Sequence, residues 1–171
     1  RNPSSTLKRR IPPTEFDEEK GSYIHGKVHD ENARAAGGIT GHAGLFSTTS
    51  DLSLLARELL LALKGKSRKF RQKTIESFVR CQDSPKGSSR ALGWDTPSEE
   101  SSAGDLASRT SFGHTGFTGT SIWIDPQRDL YIILLSNRVH PTRKNRKITA
   151  VRRKFADAVV GAIDSAGKKA R

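Results

Sequence analysis

Two apolar runs separated by a short turn constrain the fold of this chain more than any other feature. The runs are residues 119–124 (GTSIWI) and 130–136 (LYIILLS), and the sequence DPQRD joins them. An Asp-Pro turn between such runs predicts an antiparallel hairpin, and the second run, apolar at nearly every position, predicts a strand covered on both faces. The segment that leads into the hairpin, residues 113–119 (GHTGFTG), holds three glycines, which mark a bulge or a place where another molecule approaches the backbone closely.

An amphipathic helix is predicted before these strands. Thr48, followed three residues later by Asp51, is the carboxylate version of a capping box, and Gly65 predicts the end of the helix. Its apolar face repeats at helical spacing and comprises Leu52, Leu55, Ala56, Leu59, Leu60 and Leu63. A shorter helix is predicted over residues 74–80, with an apolar face formed by Ile75, Phe78 and Val79.

The remaining segments complete an α+β layout. Residues 1–22 are predicted to form an extended arm or loop, residues 23–47 an ordered functional loop, and residues 91–94 (ALGW) a short strand. The last helix is predicted over residues 148–163, with an apolar face of Ile148, Val151, Phe155, Ala158, Val159, Ala162 and Ile163. Two helices, then about three strands, then a helix predict an antiparallel sheet covered by helices.

The positive charge of the chain is spread over several surface segments. The formal net charge is +12, and the basic residues concentrate in residues 8–10, 64–73, 143–154 and 168–171. Such clusters suit polyanions, but no aromatic residues interleave with them to form a stacking platform for bases. We therefore interpret the clusters as solvated helix faces and termini, and expect no nucleic acid partner.

Four absences limit the possible functions and origin of the chain further. Cys81 is the single cysteine, so an internal disulfide is excluded, and no run approaches the roughly 18 apolar residues of a membrane span. The start of the chain lacks the apolar core of a signal peptide. The chain also contains no methionine, even at position 1, so we expect it to be an interior piece of a longer protein.

Three segments together resemble the C-terminal part of one known family. They are residues 41–60 (GHAGLFSTTSDLSLLARELL), residues 113–138 (GHTGFTGTSIWIDPQRDLYIILLSNR) and the closing helix. The family is the serine β-lactamase-related group of class C β-lactamases, DD-peptidases and esterases, and the resemblance runs from about residue 20 to about residue 165. It implies that residues 1–171 form the C-terminal portion of a single β-lactamase-like domain, and that the N-terminal half completes the sheet.

The resemblance also implies a set of site residues. In that family a Lys-Thr-Gly or His-Thr-Gly motif lies on the strand that forms one wall of the active site, and here it corresponds to His114, Thr115 and Gly116. The N–H of Phe117, paired with the N–H of a nucleophilic serine, would stabilise the oxyanion of acyl transfer. His114 would line the pocket and assist proton transfer or hold a polar group of the substrate, Thr115 would offer a hydroxyl, and Gly116 and Gly119 would let the substrate lie against the strand.

The substrate class follows from the same comparison. Substrates would be small esters, amides, β-lactams or peptidoglycan peptides, with no cofactor, in the periplasm or outside the cell. Histidine is mostly neutral near pH 7 and holds a substrate carboxylate less firmly than lysine does. This favours a peptidase-like or esterase-like activity over an efficient β-lactamase.

The nucleophile of the family is not found in this sequence. It is the serine of a Ser-x-x-Lys motif at the start of a buried helix. Residues 5–8 (STLK) fit the string but are followed by RRIPP, which forbids a buried helix, and residues 165–168 (SAGK) follow the strand motif instead of preceding it. The second family motif, Tyr-x-Asn, is absent as well. We therefore expect this chain alone to supply an oxyanion wall and to be inactive without its N-terminal portion.

Three other interpretations remain open. His25, His29, Asp30 and His42 could bind zinc, although the glycine-rich surroundings argue against the helix that would align them, and we favour no metal site. A polyanion-binding module would explain the charge but not GHTGFTG. A catalytically inactive relative that binds cell-wall peptides would retain the motif strand without acyl transfer.

Overall fold

The structure, a computed structural model, describes residues 3–169, and their side chains through residue 167. The order of elements is α1 (Ser5–Lys8), β1 (Phe16–Asp17), β2 (Ser22–Tyr23), α2 (Glu31–Ala35), α3 (Thr49–Leu63), α4 (Gln72–Val79), β3 (Phe112–Thr115), β4 (Ser121–Asp125), β5 (Leu130–Leu134) and α5 (Ile148–Lys169). Antiparallel strands flanked by helices confirm the predicted α+β class.

Strand β4 lies at the centre of a three-stranded antiparallel sheet in the order β3-β4-β5. The predicted hairpin is confirmed, and Asp125 fixes its turn by accepting hydrogen bonds from the Ser108 hydroxyl (2.6 Å) and from Arg128 Nη1 (2.9 Å). Burial raises the pKa of Asp125, but these hydrogen bonds outweigh burial and hold the pKa below its usual range. The carboxylate that fixes the turn is therefore ionised at neutral pH.

Helices α3 and α4 share a hydrophobic core with strands β3 and β4. Helix α3 begins at the predicted cap, where the Thr48 hydroxyl accepts a hydrogen bond from the Asp51 N–H (3.2 Å). Trp94 packs edge-on against Phe112, with ring centroids 5.2 Å apart. The buried members of the core are Ala56, Leu59, Leu60, Ala62, Ile75, Phe112 and Ile124. This core holds the motif strand β3 rigidly from one face of the sheet.

Three predictions around this core differ from the structure. Residues 91–94 form a turn rather than a strand, because the Ala91 N–H donates to the Trp94 carbonyl (3.0 Å) between bridged residues Arg90 and Asp95. In helix α4, Phe78 is exposed while Ile75 is buried. Strand β5 meets both α3 and α5 as predicted but is only half-buried throughout, and it lies at the edge of the sheet within the described residues.

The N-terminal quarter contains more regular structure than predicted. The segment predicted as an arm holds one helical turn, α1, and the short strands β1 and β2, and the predicted functional loop holds helix α2. Asp30 caps α2 by accepting a hydrogen bond from the Ala33 N–H (2.8 Å). The surrounding glycines and polar residues hide so short a helix from periodicity analysis.

Helix α5 buries a face that shares only Ile148 with the predicted one. The buried positions recur every four residues and are Ile148, Arg152, Ala156 and Val160. Val151, Phe155 and Ile163, on the predicted face, are substantially exposed. Periodicity identifies an apolar face but not the partner that covers it, and in the described part of the chain α5 meets the sheet through the neighbouring face.

The interpretation of the basic clusters as solvated helix faces holds for only some of their residues. Arg152 is buried, Arg143 pairs with Glu15 and Glu31, and Arg153 pairs with Asp105. The side chains of the cluster at 168–171 lie outside the described residues. Within residues 3–169, every helix is too short or too polar to cross a membrane.

Candidate active site

The His-Thr-Gly motif lies at the end of strand β3 and the start of the β3–β4 loop, residues 116–120. His114 is exposed; its Nε2 lies 3.0 Å from Arg90 Nη1, and its Nδ1 lies 2.8 Å from the Thr115 carbonyl oxygen. Because a guanidinium only donates and a carbonyl only accepts, these contacts select the neutral tautomer with its proton on Nδ1. Arg90 thus places an exposed positive charge beside a neutral His114.

The β3–β4 loop is a tight turn that leaves the N–H groups of Phe117, Thr118 and Thr120 without an acceptor among the described residues. The Gly119 N–H donates to the Gly116 carbonyl (3.0 Å), and the Gly116 N–H donates to the Thr120 carbonyl (2.8 Å). Phe117 takes the second position of this turn, and no acceptor within residues 3–169 bonds to its N–H. A fixed and unpaired backbone N–H can stabilise negative charge on a ligand oxygen without reorganisation.

The Phe117 side chain is held between two other side chains. The His29 ring stacks on it with centroids 5.6 Å apart, and the Arg138 guanidinium carbon lies 4.0 Å from its centroid. Arg138 Nε also donates to the Phe117 carbonyl (2.7 Å). These contacts restrict both the ring and the backbone of Phe117, although more than half of its surface is exposed.

An ionic network ties the N-terminal segment to this residue. The Glu15 carboxylate accepts a hydrogen bond from the Arg143 backbone N–H (2.8 Å) and lies 3.1 Å from His29 Nε2. Burial raises the pKa of Glu15, but the hydrogen bonds from Arg143 and His29 outweigh burial and hold the pKa below its usual range. An ionised Glu15 therefore anchors the His29 ring that packs on Phe117.

Contacts within the chain itself explain why each of the three positions in the motif segment is a glycine. A Cβ on Gly113 would lie 2.3 Å from the Ile122 carbonyl oxygen, and one on Gly116 would lie 2.3 Å from the Thr120 hydroxyl oxygen. Gly119 has a φ of +122°, which L-residues rarely adopt, and its Cβ would crowd Ser136. The predicted contact of Gly116 and Gly119 with substrate stays a prediction, since packing alone explains both glycines.

The other sequence candidates lie apart from the motif. Ser5 and Lys8 belong to the exposed one-turn helix α1, and the Lys8 side chain packs against Gly26. Ser165 is exposed on α5, while the Lys168 side chain lies outside the described residues.

The four candidate zinc ligands also have other partners. His25 Nε2 lies 2.8 Å from the Ile11 carbonyl oxygen, His29 lies beside Glu15, and His42 Nε2 lies 3.0 Å from an Asp30 carboxylate oxygen. Within residues 3–169, no group of three or more potential ligands gathers around one point.

Sequence reasoning missed the three arginines that surround the motif. Arg90 contacts the His114 ring, Arg138 contacts Phe117, and Arg152 Nη2 donates to the Gly116 carbonyl (2.6 Å). Arg138 stands in the recognisable LLSNR segment, but no pattern assigned it a contact. Arg90 and Arg152 carry no local signal, because their roles depend on contacts with residues far away in the chain.

Comparisons with known proteins show the family of the chain. The family model described as Beta-lactamase matches residues 7–157. Two relatives, from Salmonella enteritidis PT4 (strain P125109) and Salmonella newport (strain SL254), are both named "Putative D-alanyl-D-alanine carboxypeptidase". Each is 40% identical over 130 residues, covering 73% of this chain and 30% of the relative. The chain therefore spans about a third of the length of these curated relatives.

A solved structure shows the same fold. It is the crystal structure of a β-lactamase from Mycobacterium bovis, which matches with a TM-score of 0.57 at 22% identity, over 70% of this chain and 46% of that chain. At this identity the likeness concerns the fold alone. The family model matches most of the chain, and the chain belongs to the β-lactamase family.

Proposed function

We propose that the complete protein containing this chain is a serine acyl hydrolase that cleaves D-alanyl peptides of peptidoglycan or related esters. The observation that carries the proposal is the unpaired Phe117 N–H, fixed in a tight turn directly after the His-Thr-Gly motif. An acyl-transfer reaction needs a preorganised donor of this kind where the oxyanion develops. Family membership and the names of the Salmonella relatives support the reaction class.

In this proposal two exposed side chains beside the Phe117 N–H have the other roles: His114 transfers protons and Arg90 binds the substrate. When Arg90 turns from the His114 Nε2 to the substrate, the freed lone pair can exchange a proton with the substrate or the leaving group. Arg90 can bind the terminal carboxylate of a D-alanyl peptide, the position for which a lone neutral histidine is poorly suited. Thr115 offers a hydroxyl at the end of the strand. A peptidoglycan substrate would place the enzyme outside the cytoplasm.

We expect His114→Ala in the complete protein to lower kcat/KM for a D-Ala-D-Ala peptide by about 10²-fold, within the range for a general acid or base. His114 is exposed and is not part of the buried core, so the thermal midpoint should change little. Turnover is measured by D-alanine release and by hydrolysis of p-nitrophenyl acetate.

The matched control is His42→Ala, which removes an exposed imidazole bonded to Asp30. It should leave both reactions within about twofold of wild type, because surface substitutions away from special features act weakly. Unchanged turnover in His114→Ala would refute the role of this histidine. A complete protein that binds D-alanyl peptides but never releases D-alanine would identify the inactive, peptide-binding relative instead.

A further inference from the structure

Arg152 stands out among the basic residues because it is buried without an acidic partner. Only 9% of its surface is exposed, and it forms no ion pair with any residue in the described part of the chain. Its Nε atom is buried and forms no hydrogen bond. The charged group that acts on the Arg152 guanidinium is another cation, Arg138. Burying an uncompensated charge is costly, so this position calls for a reason beyond solvation.

The bonds that Arg152 forms converge on the β3–β4 loop. Its Nη2 atom donates to the Gly116 carbonyl (2.6 Å) and to the Thr120 carbonyl (2.8 Å), the two ends of the turn. Helix α5 therefore reaches beneath the loop with a charged side chain and holds it from the inner side. Neither of these hydrogen bonds is to Phe117 itself.

The contact nevertheless acts on the Phe117 N–H, because the Gly116 carbonyl and that N–H belong to one peptide group. The peptide bond is planar and trans, so its C=O and N–H point in opposite directions. When Arg152 draws the carbonyl toward α5, the N–H is directed away from α5. Donation to the carbonyl also polarises the peptide and strengthens its N–H as a donor.

A second arginine fixes the next peptide group. Arg138 Nε donates to the Phe117 carbonyl (2.7 Å), so the peptide groups on both sides of Phe117 are each held by a guanidinium. Rotation of the Gly116–Phe117 peptide would have to break a charged hydrogen bond in a buried setting. Bonds of this kind are stronger than those between neutral groups.

We propose that Arg152 is a positioning residue for acyl transfer, which holds the Gly116–Phe117 peptide in the orientation where the Phe117 N–H meets the oxyanion. The inference rests on the proposed function of that N–H. Its consequence is that a residue on the last helix, away from the solvent-facing side of the motif, sets the rate of the chemical step.

The test uses Arg152→Met in the complete protein, with p-nitrophenyl acetate labelled with ¹³C at its carbonyl as the acyl donor. We expect kcat for acylation to fall by about 10- to 100-fold, less than the loss of an entire oxyanion donor, with KM within about threefold. The carbonyl stretch of the acyl-enzyme should move to higher wavenumber, because its hydrogen bond is weaker. A merely structural role would not shift that band in the folded fraction.

Two further variants keep the outcome decisive. Arg152→Lys, which retains a buried cation and a donor, should recover part of the rate and covers the case in which Arg152→Met does not fold. Arg153→Met removes the neighbouring charge, which pairs with Asp105, and should resemble wild type. Wild-type rates and carbonyl frequency in both Arg152 variants would overturn the inference.

Phe117→Pro, which deletes the N–H itself, separates this inference from the function on which it rests. If Phe117→Pro retains the acylation rate, the oxyanion role of Phe117 is refuted, and with it the role of Arg152. If Phe117→Pro loses the rate while the Arg152 variants keep it, only the positioning role of Arg152 is refuted.

Discussion

Phe117→Pro in the complete protein is expected to lower the acylation rate by about 10²- to 10³-fold, the loss typical of removing one oxyanion donor. Proline has no backbone N–H, and it suits the second position of a tight turn, which is the position Phe117 occupies. The substitution therefore removes the donor with little disturbance of the loop. The acylation burst with p-nitrophenyl acetate gives the rate.

The control for this prediction is Phe117→Ala, which keeps the N–H and removes the ring. Loss of the contacts with His29 and Arg138 should slow acylation by only about twofold to fivefold, because one exposed cation–π contact contributes about 0.5–1 kcal/mol. Equal rates in the two variants would show that the ring matters and the N–H does not. Circular dichroism of both variants checks that each retains the fold.

Gly113→Ala is expected to lower the free energy of unfolding by about 3 kcal/mol, the upper part of the range for overpacking. The added Cβ would lie 2.3 Å from the Ile122 carbonyl oxygen and 2.5 Å from the Trp123 ring. Both neighbours belong to the central strand β4, and Trp123 is nearly fully buried, so neither can move away at low cost. Chemical denaturation measures the loss.

Gly161→Ala is the matched control. Its Cβ would meet only the Leu106 side chain at 3.8 Å, which is an ordinary contact. In a helix interior, alanine is more stabilising than glycine by about 0.5–1 kcal/mol. This variant should be as stable as wild type or more so. If Gly113→Ala keeps its stability but raises KM, the glycine serves the approach of substrate, and the packing explanation is wrong.

Local signals in the sequence predicted the elements whose structure depends on neighbouring residues. The Thr48 cap, the stop at Gly65 and the Asp-Pro hairpin each arise from contacts within a few residues. The prediction of the buried face of α5 was wrong, because that face depends on which residues the helix packs against elsewhere in the fold. The ALGW turn was missed for another reason: its closing bond and the Arg90–Asp95 bridge are local, but the apolar residues of the segment favour a strand.

In the candidate site, too, the sequence revealed the residues that are neighbours in the chain and missed those that come from distant segments. The motif residues His114, Thr115, Gly116 and Phe117 stand together in sequence, so a resemblance could locate them. Arg152 lies 36 residues from Gly116, and Arg90 lies 24 residues from His114. Nothing in either local sequence separates such a contact from a solvated charge, because a pattern of basic residues does not record which carbonyl or ring each one meets.

The most direct test of the account is to identify the acylated residue in the complete protein by tandem mass spectrometry after reaction with p-nitrophenyl acetate and with a penicillin. We expect one acyl group on a serine of a Ser-x-x-Lys motif outside residues 1–171, and a much slower appearance of that group in Phe117→Pro. Acylation at Ser5 or Ser165, or no acyl-serine with either reagent, would contradict it.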